Sequence, residues 1–406
     1  MPRGLDVSTV GDYNQAVVLG LIRRHSGGIS RVEIARVSGL SVQTISNATR
    51  RLIGEGLVRE GERQIRGRGK PRVLLELNAS SRYAVGIHID PTTLTCLLLD
   101  LNGEVVARRQ SGTPPEPEIA VAAMAREVDA LLASSRVDAD KVIGIGVAAP
   151  GPLDASTGTL IDPPLLEHWR DVPICDALAR ATGLMVVLEK DVIATAVAEV
   201  WTAADSRREN FATIYYGSGI GAGLVIGGEL VRGASGNAGE IGHLLVQTDG
   251  PLCRCERRGC AGEVLTPHHL VQRAIDSHIL IAADVDKFDY ASIDQHFTTL
   301  VGMRSTDGPA RIFDETVAGF TRLVVSIVNL LDLDRVVFAG PFWDRIAPLV
   351  LDRIRVSVAR DPALVPPHDV IVESSSLEVD AAAIGAGCVV LDRVLTPHPA
   401  GLLISG

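Results

Sequence analysis

The sequence predicts an α/β body of two lobes facing a cleft, preceded by a small helix-turn-helix head, and three observations predict it. Residues 1–77 hold 13 Lys/Arg against 7 Asp/Glu, a balance of +6, whereas the rest of the 406-residue chain holds 26 against 42, a balance of −16. Inside the basic head, short helical patterns are separated by a glycine turn. Beyond it, a group of strands followed by helices occurs twice. This divides the chain into a head (1–77), a first lobe (84–200) and a second lobe (201–406) whose last helix returns to the first.

In the head, Tyr13, Val17 and Leu21 recur at four-residue spacing, the stripe of a partly buried helix over Asp12 to Arg24. Ser30-Arg-Val-Glu33 is a capping-box pattern that opens a second helix, and Gly39 supplies the turn. Ser41 then caps a third helix with Ile45, Ala48, Leu52 and Ile53 on its inner face. Gln43, Thr44, Ser46, Asn47 and Arg50 are left facing outward, where a recognition helix meets base edges. A two-stranded wing is expected from Leu57 to Leu77. Its tip, with Arg66, Arg68 and Lys70 among glycines, suits an A·T-rich minor groove or contacts to phosphate alone. Operator DNA is the partner this head implies.

In the body, strands are expected over Tyr83–Asp90, Thr93–Asp100 and Val142–Val147, with a helix over 118–134. The pattern returns with strands near 211–216, 221–227 and 229–232, a long helix near 311–331, a strand at 335–339 and a helix near 342–359. No apolar run approaches membrane-spanning length: 323–340 is broken by Asn329, Asp332, Asp334 and Arg335. The opening residues do not look like a secretory leader, so a cytosolic protein with no membrane partner is expected.

A reducing compartment favours metal over disulfide for clustered cysteines. Cys253-Arg-Cys255-Glu-Arg-Arg-Gly-Cys260 is such a cluster, with His243 ten residues upstream. Three thiolates and an imidazole meet the demand of Zn²⁺ for four N/S ligands in a closed structural site. Cys96, Cys175 and Cys388 lie in apolar surroundings and read as core residues.

Gly239-Glu240-Ile241-Gly242-His243 followed by Cys-x-Cys-x4-Cys resembles the signature of the ROK family of bacterial repressors and sugar kinases. The resemblance covers nearly the whole chain. It implies the actin-like ATPase fold shared with hexokinases, and family regulators have a similar head and wing. It also implies a sugar site, in which Asp191 aligns with the kinases' catalytic base and Glu240 and His243 match sugar contacts. On a helix these last two would share a face. The family's further sugar-binding Glu falls on Gly262 here, with Glu263 beside it.

Lys190 stands where the family has Asn. Only 4 lysines occur against 35 arginines, and one sits at this site. An ammonium there predicts an anionic ligand such as a phosphosugar, unless it pairs internally with Glu189 or Asp191. The kinases' first phosphate loop, Asp-x-Gly-Gly-Thr, corresponds to His88-Ile89-Asp90-Pro91-Thr92, in which both glycines are gone. Gly217-Ser218-Gly219-Ile220-Gly221 keeps the second loop, and Pro341 alters the third. The expectation is therefore a transcriptional regulator, a dimer or tetramer responding to a carbohydrate or phosphosugar, without kinase activity. The alternative is an ATP-dependent sugar kinase with a DNA-binding head.

Overall fold

A computed structural model describes residues 7–25, 27–64, 72–203, 209–303 and 307–395. The head comprises α1 (Val7–Arg23), β1 (Ile29–Ser30), α2 (Arg31–Ser38) and α3 (Val42–Gly54), then β2 (Val58–Gln64) and β3 (Arg72–Leu77). Ser30 and Glu33 cap α2 reciprocally: the serine hydroxyl accepts from the Glu33 N–H at 3.3 Å, and the Glu33 carboxylate accepts from the Ser30 N–H at 3.0 Å. Gly39 ends the helix at φ 69°, and the Ser41 hydroxyl caps α3 by accepting from the Thr44 N–H at 3.1 Å. The wing strands pair antiparallel in the order β1-β3-β2. Ile22, Ile34, Ile45, Leu52 and Leu75 are fully buried between them and the helices.

The body holds two sheets of one topology. The first comprises β4 (Tyr83–Ile89), β5 (Thr93–Asp100), β6 (Val105–Gly112), β7 (Val142–Ala149) and, after the short pair β8 (Leu153–Asp154) and β9 (Thr159–Leu160), β10 (Val186–Lys190). Its order is β10-β7-β4-β5-β6, the first hairpins antiparallel and β7 and β10 parallel to β4. The second comprises β11 (Phe211–Tyr216), β12 (Ile220–Ile226), β13 (Glu229–Leu230), β14 (Arg335–Ala339) and β15 (Ile371–Ser374), in the order β13-β12-β11-β14-β15. Here too hairpin strands are antiparallel and the later strands parallel. This duplicated arrangement is the actin-like ATPase fold.

Two helices join the sheets. We label α4 (Pro117–Ser135), α5 (Ile174–Thr182) and α6 (Asp191–Thr202) in the first half. In the second are α7 (Ala261–Val264), α8 (Pro267–Asp276), α9 (Tyr290–Gly302), α10 (Asp307–Leu331), α11 (Trp343–Arg360) and α12 (Ala381–Leu395). The alanine-rich α12 packs on β4 and β7 and lies along α6, which in turn touches β11 and β12. The approach is close: a Cβ on Gly146 of β7 would fall 1.8 Å from the Ala386 carbonyl oxygen. A strand glycine here lets helix backbone reach sheet backbone.

The head is mounted on this core without slack. One apolar cluster runs from Ile22, Ile34 and Ile45 to Leu97, Leu99, Trp201 and Val390. The Arg23 guanidinium lies 3.8 Å above the Trp201 ring and donates to the Trp201 carbonyl. The junction residue Asn78 bonds back to the head, its N–H to Leu57 at 2.9 Å, while the Leu101 N–H of the body donates to the Ala79 carbonyl at 3.0 Å.

Gly146→Ala is expected to lower stability by about 1–3 kcal/mol, because added volume must push α12 off the sheet. Thermal unfolding measures it; an unchanged melting temperature would mean that α12 does not approach β7 so closely.

Candidate functional site

The residues singled out in the body converge on one cleft of about 520 Å³. Lys190, Asp191, Glu240, His243 and Glu263 all line it. Asp191 opens α6 directly after β10, at the carboxyl end of a parallel strand, where α/β sheets place ligands. Its carboxyl is pushed up to about 7, chiefly because burial penalises the charge. Lys190 and the Val192 N–H lower it, while Glu240 and Asp90 raise it.

Glu240 and His243 do not share a helix face, contrary to expectation. Residues 231–260 contain no helix. Gly233, Gly236 and Gly239 have φ of 74°, 77° and 90°, which a right-handed helix does not admit. At Gly239 the chain also presses against β12: a Cβ would lie 1.7 Å from the Ala222 carbonyl oxygen. Glu240 and His243 therefore reach the cleft from a pinned loop.

That loop ends in the cysteine cluster. His243, Cys253, Cys255 and Cys260 each offer a ligand atom, and all four atoms lie within 4.8 Å of one another. Cys253 Sγ is 3.4 Å from His243 Nδ1, and Cys255 Sγ is 3.6 Å from Cys260 Sγ. A tetrahedral ion with metal–sulfur bonds of about 2.3 Å sets its ligands roughly 3.8 Å apart, so the spacing fits one ion held by these four residues. Because Nδ1 faces the thiols, Nε2 of His243 remains for the cleft.

The ammonium of Lys190 is not spare, which removes the reason to expect an anionic ligand from it. Nor is its carboxylate partner Glu189 or Asp191. It donates to Glu240 Oε1 at 2.6 Å and to the carbonyls of Asn237 and Ala238 at 3.3 and 3.2 Å. Glu189 is instead paired with Arg232 at 2.8 Å. Glu263 Oε2 meets Nε2 of His269, whose ring burial lowers to about 4, so the contact is to a neutral imidazole.

Beside the cleft the three loops of the kinase pattern border a cavity of only about 130 Å³, lined by His88, Asp90, Thr92, Ser218, Pro341 and Phe342 among others. Burial pushes the His88 imidazole below its ordinary value, so a neutral ring stands where the pattern has a carboxylate. Every amide of the first turn is taken or missing. Pro91 has none, the Thr92 N–H donates to Asp90 Oδ1 at 3.2 Å, and the Thr93 N–H donates to the Asp90 carbonyl at 3.3 Å.

On the head, Gln43, Asn47 and Arg50 are exposed along α3. Asn47 Oδ1 accepts from Gln43 at 3.2 Å and from Arg50 at 3.5 Å. Thr44 and Ser46 are half-buried, and the Thr44 hydroxyl bonds to Ser41 at 2.9 Å. Arg66, Arg68 and Lys70 lie outside the described residues. Sequence reasoning missed Val42, 71% exposed at the start of α3. Spacing alone offered no signal: residue 42 stands three positions before Ile45 and seven before Thr49, both buried.

The family model for ROK matches residues 84–393, and the model for winged helix-turn-helix DNA-binding matches residues 12–59. The xylose repressor of Bacillus subtilis (strain 168) is 30% identical over 257 residues, which is 63% of this chain and 66% of that protein. A crystal structure of a ROK family transcriptional regulator, a homolog of the E. coli MLC protein, superimposes with a TM-score of 0.76 at 20% identity, covering 98% of each chain. A ROK family glucokinase from Streptomyces griseus, in complex with glucose and AMPPNP, gives a TM-score of 0.62 at 26% identity, over 76% of this chain and 98% of that one.

Cys255→Ser is expected to cost at least half of the bound metal in protein purified from metal-supplemented medium. Elemental analysis measures it; full retention would remove Cys255 from the ligand set.

Proposed function

The chain belongs to the ROK family, and on that premise we propose that it is a sugar-responsive transcriptional repressor of carbohydrate genes whose body has lost phosphoryl transfer. It acts as an oligomer on operator DNA. Support comes from one juxtaposition: a sugar-sized cleft beside a hairpin turn with no amide to offer a phosphate. A cleft of about 520 Å³ lies within the usual range for small-molecule sites, roughly 300–1,000 Å³. Phosphoryl transfer depends on backbone donors to the phosphates, and this turn has none to spare; its one carboxylate, Asp90, already accepts from the Thr92 N–H at 3.2 Å. The name of the B. subtilis relative, xylose repressor, agrees with a sugar effector and a DNA target.

In this reading Asp191 and Glu240 accept from sugar hydroxyls, and His243 Nε2 makes a further contact. The cluster holds Zn²⁺, since three thiolates with one imidazole is a closed structural donor set. Bound zinc would neutralise the thiolates and fix the His243 ring; the chain's own residues do the recognition. Gln43, Asn47 and Arg50 meet base edges, with Arg66, Arg68 and Lys70 in or near the minor groove. Sugar binding shifts the population of body conformations, and a 10⁴-fold preference between states, about 5.5 kcal/mol, is needed for a full switch.

The test is DNA affinity, by fluorescence anisotropy on promoter fragments, across a panel of sugars including xylose and glucose. At least one sugar should change affinity tenfold or more, while a coupled assay with ATP and the same panel records no turnover. Turnover of any sugar would favour the kinase reading, to which the intact Gly217–Gly221 loop points.

Asp191 adds a pH dependence. Its pKa rises from 3.8 in the unfolded chain to about 7 in the fold, so its contribution to stability is present below 3.8 and lost as pH rises through about 7. Hydroxyl binding has the opposite sign, because the ionised carboxylate is the better acceptor. Sugar affinity should therefore increase severalfold between pH 6 and 8, and Asp191→Asn should flatten that profile. A wild-type profile that is already flat would exclude Asp191 from sugar contact.

A further inference from the structure

From its contacts we infer that Lys190 is a positioning residue, an internal tether that holds the Glu240 loop and occupies one oxygen of Glu240 in place of a sugar hydroxyl. An ammonium has three donors, and the three acceptors on Glu240, Asn237 and Ala238 use them all. The side chain of Lys190 is 4% exposed, while that of Glu240 is 64% exposed and borders the cleft. One partner is thus sunk in the protein and the other presented to solvent.

The tether is part of a larger clasp between β10 and the loop. The neighbouring Glu189 pairs with Arg232 on the same loop at 2.8 Å, so two adjacent residues of opposite charge grip residues 232 and 240. Asn237, between them, is doubly bonded to Leu153, accepting from its N–H at 3.0 Å and donating to its carbonyl at 2.7 Å. The loop bearing Glu240 and His243 is therefore in place before any ligand arrives. An asparagine at position 190 is too short to reach these acceptors together, and would leave the loop to be organised by the sugar.

The cost appears in recognition. A free carboxylate can accept two neighbouring hydroxyls, one on each oxygen. With Oε1 already accepting from a cation at 2.6 Å, Oε2 is the better acceptor left, on a carboxylate whose charge is already partly neutralised. The sensor reads a single hydroxyl at Glu240 and tolerates a sugar that is deoxygenated or N-acylated at the adjacent carbon. This affinity consequence rests on the sugar-sensor reading; the tether itself does not.

Two measurements separate them. Hydrogen exchange on the full chain, without any sugar, should show residues 232–243 at least tenfold less protected in Lys190→Asn and in the near-isosteric Lys190→Met than in wild type. Glu240 is solvent-exposed, so neither change strands its charge in the interior, and a retained circular-dichroism melt identifies folded variants. Equal protection in a folded variant overturns the tether. Calorimetry then compares a parent sugar with its monodeoxy and N-acetyl analogues. Wild type should bind one analogue within threefold of the parent, whereas Lys190→Asn should bind the parent about tenfold tighter and lose that gain on the analogue. No gain in Lys190→Asn overturns the recognition claim. Loosened exchange with no sugar bound by wild type or variant upholds the tether and defeats the sugar-sensor reading instead.

Discussion

Three thiols and an imidazole crowded within 4.8 Å set the terms for the rest of the body. The thirty residues from 231 to 260 contain no helix and only isolated bridges, so nothing regular holds them. As thiolates the three sulfurs would repel one another strongly at this spacing, and a divalent cation converts that repulsion into a cross-link. Its far end is Ala261, where α7 begins; its near end is His243 at the cleft wall. With such a cation bound, the loop bearing Glu240 and His243 would be anchored from behind by the cluster, while β10 holds it from in front.

Much of this was legible in the sequence. Local chemistry wrote the head: a Ser-x-x-Glu box, a glycine turn and a second serine cap each act within four residues, and each appears at the expected place. The cysteine spacing was equally local. What failed involved distance. Glu240 and His243 three positions apart suggested a helix, but glycines at 233, 236 and 239 with positive φ, one of them jammed against the Ala222 carbonyl, keep the chain irregular. Lys190 was weighed against its neighbours Glu189 and Asp191, yet its carboxylate lies fifty residues away. Adjacent strand residues point to opposite faces, so sequence neighbours were poor candidates from the outset.

Family resemblance and physical detail divide the work in a definite way. Superposition on both a regulator and a glucokinase establishes the fold and leaves the activity open. The proposed discrimination rests on one turn of four residues, in which a proline and an Asx bond take up backbone amides. Glycine loops can outlive the chemistry they once served, because they also shape the hairpin; an amide that is already bonded cannot serve twice.

The mounting of the head has a consequence of its own. Many DNA-reading modules hang from linkers, sweep a wide volume and forfeit that freedom on each encounter with a duplex. Here Asn78 is bonded to the head, Ala79 to the body, and Arg23 is seated on Trp201. That entropy is surrendered once, when the polypeptide folds. The reader arrives pre-aimed, its capture radius small and its orientation dictated by the tumbling of the whole particle, so lengthening the connection would loosen aim sooner than it would extend reach.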